Sequence, residues 1–348
     1  MAKVRDLDVY VSRIDILTSI DRTFIDRKMA KLSTILLSSA VVAFLQFAPK
    51  DTQQPLIDLL ARIPHLSAST ILQIAKYIAG FTAATGAISK INTYLSRGVS
   101  NNWTEDKYDW NKEVLLLTGA SSGLGEQMAQ MFADRGVKVI ALDVQPIPPS
   151  MQSYKNIHFY NCDVTDYTRL PALAAKIRKE HGDPTVLVLN AGIVNAEPLL
   201  KIPLARTQKL LDINLTSHFA MLHEFLPSMV AANHGHVVQI ASMCSYLSIC
   251  GLSDYCASKA GVLALHETLR AELRHLYKAD KVRTSIVHPT WMRTNILAFE
   301  GWVKERKLPF APLEKCAQQV VEAVMGGYSA RVLVPDKLGM QLGMGVRA

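Results

Sequence analysis

Val114-Leu115-Leu116-Leu117-Thr118-Gly119-Ala120-Ser121-Ser122-Gly123-Leu124-Gly125 is the stretch that decides the fold. An apolar run enters a glycine-rich turn, and a helical pattern follows. Glycine accepts a positive φ and lets backbone come close to a ligand. Between a strand and a helix, such a turn opens the helix N-terminus to an anion such as a pyrophosphate. The spacing is Gly-x-x-x-Gly-x-Gly, not the Gly-x-Gly-x-x-Gly of many dinucleotide binders. Gly119, Ser121, Ser122, Gly123, Leu124 and Gly125 are therefore candidate cofactor-binding residues.

The same texture repeats outward from this turn. Short apolar runs at 114–117, 137–142, 157–160, 186–189, 237–240, 283–287 and 331–334 alternate with helical patterns near 124–135, 166–181, 204–232, 253–278 and 312–325. Apolar strands alternating with helices predict a parallel sheet covered on both faces. Right-handed crossovers make it a doubly wound, Rossmann-like α/β sheet that binds ligands at the carboxyl ends of its strands. The second run ends at Asp143, 24 residues after Gly119. An acid there accepts hydrogen bonds from the adenosine ribose and repels a 2′-phosphate. Ser122 offers no positive charge to hold that phosphate. NAD is therefore favoured over NADP.

Tyr255 and Lys259 carry the chemistry. Four residues apart on a helix, they share one face. A phenol is ordinarily a very weak acid, and a nearby ammonium stabilises its phenolate. The pair suits a general acid/base working on a hydroxyl or carbonyl oxygen.

Together these motifs resemble the short-chain dehydrogenase/reductase family over residues 113–335. The matching features are the Thr-Gly-x-x-x-Gly-x-Gly loop, Cys162-Asp163-Val164, Asn190-Ala191-Gly192, Asn214, Ser242, Tyr255-x-x-x-Lys259, and Pro289 followed by Thr294. The thirteen-residue interval from Ser242 to Tyr255 also fits. The resemblance implies that Tyr255 is the general acid/base and that Lys259 lowers its pKa and holds the nicotinamide ribose. It implies that Ser242 positions the substrate oxygen and that Asn214 anchors a water leading from Lys259. Asp163 would face the adenine, Asn190, Ala191 and Gly192 would line the cofactor, and Pro289 and Thr294 would flank the nicotinamide end. The family often has Pro-Gly where this chain has Pro289-Thr290. A homodimer through the helix bearing Tyr-x-x-x-Lys is a further implication.

The N-terminal third reads differently. Residues 1–31 show a helical apolar seam of Val4, Leu7, Val11, Ile14 and Leu17. Residues 32–48 carry no charge, which is barely long enough to span a bilayer. A second apolar stretch at 71–88 is interrupted by Lys76. The two could form a membrane hairpin, one span with one interfacial helix, or a soluble helical pair. Basic residues flanking both stretches favour cytoplasmic flanks for a hairpin. Trp103 and Trp110 either mark a membrane interface or pack on the domain. The chain thus divides into an N-terminal helical, membrane-associated segment (1–98), a linker (99–112), the dinucleotide-binding domain (113–335) and a tail (336–348).

With a formal net charge of +8 the chain is basic, but Lys and Arg are dispersed, so no nucleic-acid surface is indicated. Its five cysteines form no Cys-x-x-Cys, and no histidine ligand spacing occurs, so neither a metal site nor a disulfide framework is expected.

Residues 290–312 sit where the family places a substrate-covering loop. Trp291, Met292, Ile296, Leu297, Phe299, Trp302 and Phe310 make it greasy, which suits a lipophilic alcohol or ketone. With the N-terminal stretches, the chain is similar to the membrane-associated retinol and 17β-hydroxysteroid dehydrogenase branch. That implies a retinoid, steroid or long-chain alcohol substrate at the endoplasmic reticulum or lipid-droplet surface, with the catalytic domain cytoplasmic. The alternatives are a soluble biosynthetic carbonyl reductase and a non-catalytic dinucleotide-binding regulatory or scaffold protein.

Overall fold

A computed structural model describes residues 68–292 and 311–334. The chain falls into two units, 1–96 and 97–348. The described part of the first belongs to a helix, α1 (Ala68–Ser100). The apolar stretch at 71–88 lies within it. No helix among the described residues is long and apolar enough to cross a membrane. The stretch holds Lys76, Gly80, Thr82, Thr85 and Gly86 among its apolar side chains. The seam at 1–31, the stretch at 32–48, Thr294 and most of the covering loop lie outside the described residues.

The second unit contains the sheet. In chain order its elements are β1 (Val114–Thr118), α2 (Gly123–Asp134), β2 (Lys138–Asp143), β3 (Ile157–Asn161), α3 (Leu170–His181) and β4 (Val186–Leu189). There follow α4 (Leu204–Leu211), α5 (Ser217–Ala232), β5 (His236–Ile240), α6 (Ser253–His275), β6 (Arg283–Pro289), α7 (Leu313–Met325) and β7 (Arg331–Val334). Strand order is β3-β2-β1-β4-β5-β6-β7, with every pairing parallel. The order reverses between β1 and β4, which opens a crevice beyond their carboxyl ends.

Alternation along each strand divides the core. Leu115, Leu117, Val139 and Val188 pack with Met128 and Phe132 of α2 and Val320 and Val324 of α7. Leu116, Ile140, Leu142 and Leu187 face the other way, onto Ile177 of α3, Phe225 of α5 and Leu269 of α6. Such strands are apolar on both faces, hence their unbroken hydrophobic runs. Removing Phe225, which is fully buried, by a change to Ala would cost about 3–5 kcal/mol.

The helical pattern at 204–232 resolves into α4 and α5 joined by a π turn, Asp212–Thr216. Single π turns inside helices often mark functional sites.

The segment at 99–112 is strapped to the domain. Arg283, at the start of β6, donates to the carbonyl oxygens of Asn101 (3.0 Å) and Thr104 (2.8 Å). The Tyr108 hydroxyl donates to Gly235 O at 2.8 Å, and Asn102 Nδ2 to Asp280 O at 3.1 Å. Trp110 stacks on Tyr108 with ring centroids 5.3 Å apart and packs against the core. The linker expectation changes accordingly: these residues are part of the folded unit.

Candidate active site

β1 delivers the glycine turn to the crevice. Gly119 and Gly123 take φ of +66° and +55°, which favour glycine. A Cβ on Gly125 would collide with the Gly119 carbonyl oxygen, and one on Gly119 would lie 2.9 Å from Ala191 Cα. The turn is laced to the end of β4. Thr118 Oγ1 accepts from the N–H groups of Asn190 (3.0 Å) and Ala191 (3.1 Å). Asn190 Nδ2 donates back to the carbonyls of Thr118 (3.0 Å) and Gly119 (2.9 Å). The result is a rigid backbone cradle that any side chain would fill, at the N-terminus of α2. It fits a dinucleotide pyrophosphate.

Asp143 closes β2 beside this cradle and is buried. Its Oδ2 accepts from Ser121 N (2.8 Å) and its Oδ1 from Gln145 N (2.9 Å). Those bonds hold the carboxylate at the cradle's rim. Asp163 is exposed, and its Oδ1 accepts from Thr165 N and Oγ1 at 2.9 and 2.7 Å.

The remaining groups come from the π turn, the end of β5 and α6. Asn214 is fully buried. It accepts from Ile193 N (2.8 Å) and donates to Ile193 O (2.9 Å) and Ser258 Oγ (3.2 Å). Ser258 donates to Tyr255 O at 2.7 Å, so the π turn, the loop after β4 and the first turns of α6 form one network. Gly261 lets α6 approach: a Cβ there would lie 2.7 Å from Leu215 of the π turn. A Cβ on Gly192 would stand 3.4 Å from Asn214 Oδ1 and 3.6 Å from Lys259 Nζ, so cradle and catalytic candidates form one site. Ser242 follows β5 in an extended conformation, and its Oγ accepts from Cys244 N at 3.1 Å.

Lys259 Nζ donates to Ile240 O at 2.9 Å and lies 5.7 Å from the Tyr255 ring centroid. Burial pushes its pKa down to about 8, against a small opposing pull from Cys244. Burial also raises the Tyr255 hydroxyl above the ordinary phenol range; Cys244 and Cys256 add to this, and a hydrogen bond from Ser242 pulls it down. Lys259 is not among the groups that shift Tyr255 here. Desolvation outweighs an ammonium that is itself destabilised and directed at a carbonyl.

Beside Tyr255, the side chains of Cys244, Leu252 and Cys256 cluster with Val194, Ile249 and Trp291. This wall is apolar. The hydrogen bond it shares with Cys256, then burial, hold the Cys244 thiol well above its usual range, so Cys244 is not an activated thiolate. Trp291 and Met292 are the described apolar residues of the greasy loop, whose base is pinned by Ala311 N donating to Trp291 O at 2.8 Å. Pro289 ends β6 at the same edge.

Thr118, Ile193 and Ser258 were not among the expected site residues, yet they hold Asn190 and Asn214 in place. Thr118 and Ser258 lie inside the motifs that gave the site away. Ile193 acts through its backbone, which leaves no trace in the sequence.

Residues 113–301 match the short chain dehydrogenase family. The chain is 36% identical to Dehydrogenase RED2 of Cochliobolus heterostrophus over 258 residues, covering 73% of this chain and 92% of the relative. It is 33% identical to Epidermal retinol dehydrogenase 2 of Mus musculus, over 61% of this chain and 71% of the relative. The ligand-free aldohexose dehydrogenase of Thermoplasma acidophilum shares the fold, with a TM-score of 0.56 at 23% identity over 69% of this chain and 96% of that one. With its parallel sheet, glycine cradle and Tyr255–Lys259 helix, the chain belongs to the short-chain dehydrogenase/reductase family of nicotinamide-dependent oxidoreductases.

Proposed function

We propose that the protein interconverts a lipophilic alcohol and its ketone or aldehyde, with NAD(H) as cofactor and Tyr255 as general acid/base. The observation that carries this reading is the convergence of Ser242, Tyr255, Lys259 and Asn214 beside the glycine cradle. Gly119, Ser121, Ser122, Gly123, Leu124 and Gly125 would hold the pyrophosphate, and Asp143 the adenosine ribose. Asp163 would stand by the adenine, Asn190–Gly192 along the cofactor, Lys259 at the nicotinamide ribose, and Pro289 and Thr294 at the carboxamide. A nicotinamide bound there supplies or accepts the hydride.

The protein's own task is the proton. Ser242 Oγ accepts from Cys244 N, which keeps its O–H off that amide and available to a substrate oxygen. Tyr255, protonated at neutral pH because burial raises it, donates to a carbonyl oxygen during reduction. Oxidation needs the phenolate, so its rate rises with pH. The wall of Leu252, Ile249, Val194 and Trp291 excludes water and favours an apolar substrate. The retinol dehydrogenases among the relatives point to the same substrate class. The uncharged stretch at 32–48 would bring the protein to the membrane where such substrates partition, and a homodimer through α6 is part of the same reading.

A screen of retinoids, steroids and long-chain alcohols against NAD and NADP tests the proposal. Turnover of an apolar alcohol with NAD preferred over NADP is expected. Turnover confined to sugars would overturn the substrate class, and equal efficiency with both cofactors would overturn the role of Asp143.

A further inference from the structure

We infer that His288 is a positioning residue: through Ser245 it fixes the carbonyl of Ser242 and thereby aims the Ser242 hydroxyl. The inference rests on the reading that Ser242 acts on substrate. His288 is the penultimate residue of β6 and is fully buried. Its Nδ1 lies 2.9 Å from Ser245 Oγ and 3.2 Å from Ser242 O, and its Nε2 lies 3.3 Å from the Tyr246 hydroxyl. Ser245 Oγ in turn donates to Ser242 O at 2.5 Å.

One tautomer satisfies this set, as assigned from the network. Tyr246 O–H donates to Nε2. Nδ1–H donates to Ser245 Oγ, with Ser242 O as a second acceptor. Ser245 O–H donates to Ser242 O. Ser245 N also donates to that carbonyl, at 3.0 Å. The Ser242 carbonyl is thus clamped from one side, while Cys244 N holds its Oγ from the other. Between the two, little freedom remains in the direction of the hydroxyl.

Burial holds the imidazole down at about 4, so the ring stays neutral through any ordinary assay. It behaves as a fixed donor–acceptor spacer between Tyr246 and Ser245, without titrating. A small misplacement of a catalytic group can cost up to about a hundredfold in rate.

The test is a double-mutant cycle on the full-length protein. His288→Leu, Ser242→Ala and the pair are compared for kcat, KM and NADH affinity. His288→Asn keeps a donor near the Nδ1 position and serves as the conservative variant. His288→Leu is expected to lower kcat by about ten- to a hundredfold, with NADH affinity within about twofold of parent. The double variant should be no slower than Ser242→Ala, and His288→Asn should recover most of kcat. Additive losses in the double variant, or equal losses in Asn and Leu variants that both still bind NADH, would overturn the positioning role. If His288→Leu fails to bind NADH, the Asn variant decides alone: kcat near parent supports the role, and a loss matching Ser242→Ala refutes it. Parental kcat in Ser242→Ala would instead overturn the underlying reading of Ser242.

Discussion

The two edges of the sheet both bury polar side chains, and they use them in opposite ways. At the amino edge, Arg283 and Tyr108 spend their donors on backbone carbonyls of the strap and of Gly235. His236 Nε2 meets Ser285 Oγ at 2.8 Å, and that oxygen accepts from Ala330 N at 2.9 Å. Each contact there joins one piece of chain to another. At the carboxyl edge, the same kinds of bond immobilise Asn190, Asn214 and the Ser242 carbonyl, and beside them lie a glycine cradle and an apolar wall. Buried polar groups thus close the fold at one edge and prepare chemistry at the other. Fold and function separate cleanly enough that substitutions should report on one edge at a time.

The largest effect is expected from Gly125→Val. The new Cβ meets the Gly119 carbonyl, and relief of that clash distorts the cradle. Overpacking costs about 1–3 kcal/mol, so NADH affinity should fall by about ten- to a hundredfold. Fluorescence titration checks this; parental affinity would mean that the cradle is only a packing turn.

Arg283→Met breaks the other edge. Loss of charge-assisted hydrogen bonds to one buried and one part-buried carbonyl should lower unfolding free energy by about 2–4 kcal/mol, read as a shift in urea midpoint. NADH affinity and kcat of the folded protein should stay within about twofold. A large loss of kcat with unchanged stability would collapse the distinction between the edges.

His234 gives the smallest effect. Burial opposes its protonation, but hydrogen bonds to Glu113 and Asp106 win and raise its pKa. A raised folded pKa stabilises the protein below the unfolded value of about 6.5, and that stability is lost as pH rises through the folded value. Thermal midpoints of parent and His234→Gln should differ most near about pH 6 and converge near about pH 9. The gain is on the order of 1 kcal/mol, because the pair is partly exposed. A difference that grows with pH would contradict the sign.

Much of this was legible before the structure. The strands were readable because burial on both faces makes runs such as Val114 to Leu117 apolar without a break. The site was readable wherever a helix or turn sets the spacing locally, as for Gly119 to Gly125 and Tyr255 with Lys259. What escaped depends on partners far along the chain. His288 meets Ser245 across 43 residues and Arg283 meets Asn101 across 182, and no local pattern announces either. The π turn around Asn214 needs the close approach that Gly261 permits. The raised Tyr255 and lowered Lys259 pKa values follow from burial, which spacing alone does not reveal.

The most direct test is Tyr255→Phe, measured for NADH binding and for single turnover of a ketone that the parent reduces. NADH affinity within about twofold of parent, with reduction slowed by about a hundred- to ten-thousandfold, is the predicted result. Reduction at the parental rate by Tyr255→Phe would contradict the assignment of the proton to this phenol.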